Sequence, residues 1–435
     1  MDRPAMISRR RFLSAVPGAV VAALPAGAQA PRLQGLWMGG VVPRGITIKV
    51  LTAAVGLPVV LAVDAGAAEE ASPPERVVVS DADGVATFVL TDLTPGSRRR
   101  FTVSTGGEPA LAGAFRTPAE GPFSFRLAFA SCAATGSSSP VFTAIRDLAP
   151  DLFVHMGDLH YEDIHENDVA RFRRAYAQVL ASTTQSALFR SVPLAYTWDD
   201  HDFGPNNSDR TSPSRSAALR AYRTFLPHYP MSQPADAPVF QAFSLGRVRV
   251  LLTDSRSARS PARAPESGRT MLGTVQLEWL EQELAAAAGA SLVVLVNSVP
   301  WITRRRSWIR HGWAPYARER RHIADLIVRH GLTRRLVMLS GDAHMLAMDD
   351  GTHSQYSTRA DAPARGFVVA HAAPLDRKPS RKGGPYTHRE VAMNGQYGVM
   401  DVTDEGGPVT VRLRGMRGSQ PVPGMALRFT TPGAD

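Results

Sequence analysis

Apolar residues follow two rhythms along the chain. Between about residues 35 and 117 they come as short runs rich in β-branched residues: Ile46–Val50, Val59–Val63, Val77–Val79, Ala86–Leu90 and Phe101–Ser104. Clusters of Pro, Gly and Asp separate them. Short runs between turn formers predict the strands of a small β-sandwich. From residue 123 onward, apolar runs alternate with segments of helical periodicity, the pattern of βα units around a largely parallel sheet. Strands are expected at Phe125–Ala130, Leu152–Met156, Leu194–Trp198, Val248–Leu252, Leu292–Val296 and Leu336–Leu339, with helices over 140–149, 167–180, 214–226, 274–288 and 316–330. Three later stretches, Gly366–Ala370, Tyr397–Val402 and Val409–Leu413, predict closing antiparallel strands. The last two are joined by a turn at Asp404-Glu405-Gly406-Gly407. No internal repeat is visible.

Composition narrows the class. The chain has 435 residues, 44% hydrophobic and 20% charged, too many for one ordinary core and too apolar for a disordered chain. Two domains or one large one follow. The 36 glycines and 33 prolines disfavour a helical array. A single cysteine excludes a disulfide framework and a four-cysteine zinc site. The formal net charge is +10, yet of the 49 basic residues only Lys49, Lys378 and Lys382 are lysines. Together with abundant alanine, that bias matches a GC-rich coding sequence. No basic tail or stripe with interleaved aromatics marks a nucleic-acid-binding module. The basic run Arg304-Arg305-Arg306 reads as a solvated loop.

The first thirty residues have the layout of a secretory signal. Ser8-Arg9-Arg10-Arg11-Phe12-Leu13 precedes the apolar stretch Ala15–Leu24, and small residues continue to Ala30. The apolar stretch is too short to span a bilayer, which takes roughly 20 residues. The paired arginines resemble a twin-arginine signal, implying passage through the twin-arginine translocase and a periplasmic or secreted protein with no membrane span in the mature chain.

Candidate chemistry sits where the predicted strands end. The apolar runs terminate in Ser131-Cys132, Gly157-Asp158-Leu159-His160-Tyr161, Asp199-Asp200-His201-Asp202, Asn297-Ser298 and Gly341-Asp342-Ala343-His344. In open α/β sheets the carboxyl ends of strands converge on a ligand crevice, so these segments should meet. A thiolate and a phenolate suit ferric iron, whereas carboxylate and amide oxygens suit Ca²⁺, Mg²⁺ or Mn²⁺, so the set predicts a mixed-metal cluster. Adjacent cations can clamp both oxygens of a displacement at phosphorus, the chemistry of phosphoester hydrolysis. Asp199 and Asp202 read as carboxylates supporting the ligands, and His155, His160 and His371 as packing groups. Asn206 and Asn207 read as turn residues by the pocket.

Residues from about 125 to 350 resemble the alkaline phosphatase D (PhoD-like) family of calcineurin-type metallophosphoesterases. The resemblance rests on an ordered set: Phe129-Ala130-Ser131-Cys132, Asp151 through Asp158 continuing to Tyr161-Glu162, and Trp198-Asp199-Asp200-His201-Asp202 with Asn206-Asn207 behind it. Asp254-Ser255-Arg256, Leu272-Gly273 with Gln276 and Trp279-Leu280, and Ser340-Gly341-Asp342-Ala343-His344 follow in the same order. It implies a four-layer αββα sandwich over 123–430, preceded at 34–118 by a small fibronectin-III-like β-sandwich and at 1–30 by the signal. It also implies one ferric ion and calcium, with Mn²⁺ or Mg²⁺ as alternatives. Carried over residue by residue, it makes Cys132 and Tyr161 iron ligands and Asp158 a bridge. Asp200 takes the place of the Asn in a Gly-Asn-His-Asp/Glu motif, Asp342 and His344 align with the histidines of a Gly-His-x-His motif, and Asn297 stands where relatives have a strand-end histidine. His201 is the expected proton donor or phosphoryl stabiliser, with Arg256 near the site carboxylates or a substrate phosphate. The implied activity is hydrolysis of phosphomonoesters, phosphodiesters or both by a metal-bound hydroxide or oxide. A phospholipase-D-like phosphodiesterase, favoured by an apolar pocket mouth, and an inactive envelope-binding protein are the alternatives.

Overall fold

Alternation along the strands decides the layering. In Leu152–Met156 every residue is buried: Val154 and Met156 join one core and Phe153 another. Phe125–Ala130 splits the same way, Leu127 and Phe129 against Ala128 and Ala130. On the other side, Val294 and Val296 enter the shared core while Val293 and Leu295 enter a third. Strands buried on both faces must be apolar throughout, which is why they read as continuous runs; each fully buried Val or Leu contributes about 1.5–3 kcal/mol. The second core is closed by helices through Phe172, Tyr176, Leu188 and Tyr222, the third through Leu280, Leu284, Ile323 and Ile327. Helices, sheet, sheet, helices is the expected αββα order.

This computed structural model describes residues 32–64, 75–107, 110–231, 233–303 and 312–432. The expected signal at 1–30 and the run Arg304–Arg306 lie outside the described residues. Among those described, no helix is long and apolar enough to cross a membrane.

One sheet has nine strands, in the order Gln420–Thr430, Thr410–Arg417, Gln396–Thr403, Phe125–Ala130, Leu152–Met156, Leu194–Thr197, Leu33–Val42, Gly45–Thr52, Val85–Leu90. The facing sheet has seven: Gln241–Leu245, Val248–Leu252, Leu292–Asn297, Leu336–Ser340, Val368–Ala372, Leu346–Asp349, His388–Val391. The expected hairpin around residues 404–407 is present, pairing antiparallel from Gln396↔Arg417 to Thr403↔Thr410. Val368–Ala372 differs from expectation: it runs parallel to Leu336–Ser340 and antiparallel only to Leu346–Asp349.

The expected N-terminal sandwich is present as two layers, but not as a separate body. Glu75–Val79, Pro58–Val63, Arg98–Ser104 and Leu111–Arg116 form a four-stranded sheet. The opposing layer is the edge of the nine-stranded sheet, joined where Leu33–Val42 runs parallel to Leu194–Thr197 at Gly39↔Leu194. A Cβ on Gly39 would collide with the Leu194 carbonyl oxygen, so this junction requires glycine. Residues 32–435 accordingly form one compact unit.

Candidate metal centre

Phe125–Ala130, Leu152–Met156 and Leu194–Thr197 run parallel, and so do Val248–Leu252, Leu292–Asn297 and Leu336–Ser340. Their carboxyl ends carry the polar segments singled out above. Three of those residues, Cys132, Asp158 and Asp342, have φ of 65°, 56° and 67°, a left-handed backbone that non-glycine residues rarely adopt. The chain turns sharply as it leaves each strand, and strain of that kind collects at functional sites. Gly157 precedes Asp158 with φ 98°, and a Cβ there would strike Asp199. The Asp158 and Asp199 loops touch backbone to backbone because residue 157 is glycine.

Asp158 is the hub. Tyr161 Oη donates to its Oδ2 at 2.7 Å, and Cys132 Sγ lies 3.5 Å from the same oxygen. Tyr161 Oη is also 3.3 Å from His344 Nε2, whose Nδ1 donates to the Lys378 carbonyl at 2.5 Å. Two sets of donor atoms lie within 4.8 Å of one another: Cys132, Asp158 and His344, and Asp158, Asp200 and His201. Asp158 belongs to both.

The residues around the hub fix its shape. Asp202 accepts the backbone N–H groups of Asp158 at 2.5 Å, Leu159 at 2.7 Å and Asp199 at 3.0 Å, locking two strand-end loops together. Arg256 Nε donates to Asp199 Oδ1 at 2.5 Å and Nη2 lies 3.6 Å from Asp200 Oδ1. Ser298 Oγ donates to Asp199 Oδ1 at 2.8 Å, and Asn207 N donates to Asp200 Oδ2 at 2.7 Å. Lys382 Nζ donates to Asp342 Oδ1 at 3.1 Å. His201 packs its ring on Tyr161 with centroids 4.1 Å apart, and its Nδ1 is held by Asp163 Oδ1 at 2.7 Å.

The electrostatics are those of crowded, desolvated acids. Burial pushes the Asp158 carboxyl up to about 7, the Asp200 charge adding to the effect and His201 opposing it. Burial, followed by the Asp158 charge, holds the Cys132 thiol and the Tyr161 phenol well above their ordinary ranges. Burial disfavours the charged form of Asp200 too, but Arg256 and His201 outweigh it and lower its pKa. For His201, burial works downward and the carboxylates of Asp158, Asp200 and Asp163 prevail, raising it to about 9. A multivalent cation at Asp158 would replace this repulsion with attraction. Among the described residues, Asp158 Oδ1 and Asn297 Oδ1 are buried without a hydrogen-bond donor. Thiol, phenol, carboxylate and imidazole around such orphaned oxygens fit a transition metal beside a harder cation.

Cys132, Asp158, Tyr161, Asp200, His201 and His344 therefore come together as the sequence predicts. Asn297 ends its strand with Nδ2 donating to the Val299 carbonyl and Oδ1 buried. Asp342 lies outside both donor groups, its Oδ1 accepting from Lys382. Of the two roles expected for Arg256, the structure shows one. Arg256 is fully buried behind Asp199 and Asp200, so it holds carboxylates and does not face a substrate. His155 and His371 are buried and belong to neither donor group, His371 bonding the Ala343 carbonyl beside His344, and His160 packs between Phe172 and Tyr176. Asp163, Arg377 and Lys382 escaped the sequence reading. Arg377 lies over the Tyr161 ring with Cζ 3.8 Å from its centroid. The rarity of lysine in the chain was the one signal available for Lys382.

Comparison with known proteins agrees with this geometry. The family model described as PhoD-like phosphatase matches residues 127–407. A solved structure of PhoD superposes with a TM-score of 0.74 at 18% identity, covering 93% of this chain and 90% of that one. The purple acid phosphatase PPD1 from yellow lupin (Lupinus luteus) seeds superposes with a TM-score of 0.62 at 12% identity, covering 91% and 74%. At these identities the likeness is one of fold. No curated protein matches the chain by sequence.

Proposed function

The chain belongs to the PhoD-like phosphatase family and is a phosphoric ester hydrolase, and from that premise we propose that it is an exported enzyme whose hydrolysis depends on metal ions held around Asp158. The observation that carries the metal dependence is the pair of donor sets, each within 4.8 Å, sharing one buried carboxylate. Cys132, Tyr161, Asp158 and His344 would hold ferric iron; Asp158, Asp200 and Asn297 would hold calcium or a similar hard cation. Bound there, the cations would supply Lewis acidity, an activated water and compensation for the phosphate charge.

The chain's own groups do the rest. His201, fixed at Nδ1 by Asp163, presents its ring beside Asp158 and Asp200. It is placed to give a proton to the departing ester oxygen or to hold a phosphoryl oxygen. Arg256 positions Asp199 and Asp200 from behind. Arg377, set over Tyr161, puts a guanidinium beside the donor groups, where it would attract the anionic phosphate of an ester.

The test is elemental analysis of protein purified from the exported fraction, alongside hydrolysis of p-nitrophenyl phosphate and its bis ester. Iron and a divalent cation should co-purify, and Asp200→Ala should lose at least about 100-fold in kcat/KM, the scale of one electrostatic contact in a transition state. Metal-free protein with undiminished activity in that variant would sink the assignment. Export by the twin-arginine route predicts that Arg9→Lys with Arg10→Lys leaves the protein inside the cell; unchanged export would reject that route.

A further inference from the structure

In a chain with 49 basic residues, only three are lysines. Lys49 is buried, with Nζ donating at 2.7 Å to the carbonyls of Arg223 and Thr224 at the end of helix Arg215–Phe225. A compact ammonium reaches two carbonyls there that a planar guanidinium would meet less well. The other two lysines lie four positions apart on the strap that follows strand Val368–Ala372. That strap is sewn to the metal centre. Leu375 N donates to the Ser131 carbonyl at 3.0 Å, Asp376 Oδ1 accepts from Ala134 N at 2.6 Å, and Ser380 N donates to the His344 carbonyl at 3.1 Å. Gly383 and Gly384, with φ of 86° and 87°, turn the chain away directly after Lys382.

The strap thus drives Lys382 inward. Its side chain is 17% exposed and its Nζ lies 3.1 Å from Asp342 Oδ1. Around the centre, Arg256 bonds Asp199 and stands 3.6 Å from Asp200, and Lys382 bonds Asp342, which among the described residues leaves Asp158 as the carboxylate of this set with no lysine or arginine on it. Asp158 is the carboxylate common to both donor groups, and Asp342 is in neither.

We propose that Lys382 is a built-in cation of the centre, its ammonium standing on Asp342 in place of a divalent ion, so that exchangeable metal gathers only around Asp158. This rests on the metal-centre reading above. It predicts that the site binds one divalent ion fewer than its carboxylates could support.

Wild-type protein, Lys382→Met and Lys382→Arg are equilibrated with calcium, freed of unbound ion by gel filtration, and analysed for metal per chain. Lys382→Met should hold about one more divalent ion per chain than wild type, and Lys382→Arg the same number as wild type. Equal counts in wild type and Lys382→Met overturn the proposal, including the case where the variant only raises KM because the ammonium binds substrate phosphate. A measurement on wild type alone covers a variant that fails to fold. With three lysines, amine acylation followed by peptide mapping is unambiguous. Lys378, exposed on the same strap, should be acylated, and Lys382 should stay protected with and without calcium. Acylation of Lys382 once calcium is added means that metal displaces the ammonium, and rejects the proposal. Wild-type protein holding no metal at all would instead reject the metal-centre reading.

Discussion

A buried histidine can be solvated by its partners, charged by its neighbours, or left alone, and this chain shows all three. His371 donates or accepts at both nitrogens, 2.9 Å from Ser340 Oγ and 2.6 Å from the Ala343 carbonyl. His201 stands among carboxylates that favour its charged form. His155 lies between the rings of Phe153 and Tyr196, and neither of its nitrogens has a partner. Burial pushes its pKa down to about 3 from 6.5. Because the folded-state value is depressed, the unfolded chain binds the extra proton between those limits, and stability falls as pH drops below 6.5. The loss comes to about 2 kcal/mol between pH 6.5 and 4.5. His155→Leu should remove that part of the slope. Urea unfolding at the two pH values measures it, and a slope identical to wild type would contradict the buried neutral state.

Elements were legible where burial is two-sided and the strand is short. Leu292–Asn297 and Leu336–Ser340 announce themselves because every position is buried and the runs stay apolar up to their last residue; Val248–Leu252 does so despite Arg249, which is only half-buried and paired with Glu283. Leu33–Val42 did not, since Gly35, Gly39 and Gly40 make it read as a turn, whereas glycine is what lets it dock against Leu194. Helix Thr183–Ser191 was missed because Thr183, Thr184, Gln185 and Ser186 supply no apolar face in its first turn. The donors at strand ends were legible for a topological reason, since parallel strands bring their carboxyl ends together. Asp163, Arg377 and Lys382 act from loops whose approach is set by distant contacts, and no local pattern marks them. Asp202 is in neither donor group but gathers the N–H groups of the Asp158 and Asp199 loops. Asp202→Asn keeps the size of the side chain and halves its acceptor capacity. Metal affinity should fall about 10- to 100-fold, as for other groups that orient ligands, while every ligand stays in place. Calcium titration by calorimetry checks this, and unchanged affinity would leave Asp202 a mere helix cap.

At the scale of the whole molecule, the centre joins the two sheets. Cys132, Asp158 and Asp200 leave strands of the nine-stranded sheet, and His344 follows a strand of the facing one. A cation held by both would cross-link residues nearly two hundred positions apart, and it binds the folded chain far better than the unfolded one. At a hundredfold excess over Kd this is worth about 2.7 kcal/mol, so chelation should lower the thermal midpoint by several degrees and abolish hydrolysis together. Its pH dependence has a definite sign. In stripped protein, burial and the Asp200 charge hold the Asp158 carboxyl up to about 7, above the ordinary carboxylate value of 3.8. A raised carboxyl stabilises the fold only while protonated, so that contribution is complete below about pH 4 and is lost as pH rises through 7. Cations need the same carboxylate deprotonated, so their contribution grows over that window. The midpoint difference between metal-loaded and stripped protein should therefore widen from pH 5 to pH 8. Asp158→Asn, which carries no charge to desolvate, should match or exceed stripped wild type in stability at pH 8 while failing to respond to added metal. Scanning calorimetry of the three forms at both pH values decides it. A gap that stays constant with pH, or a variant that still gains stability from metal, would remove Asp158 from the heart of the centre.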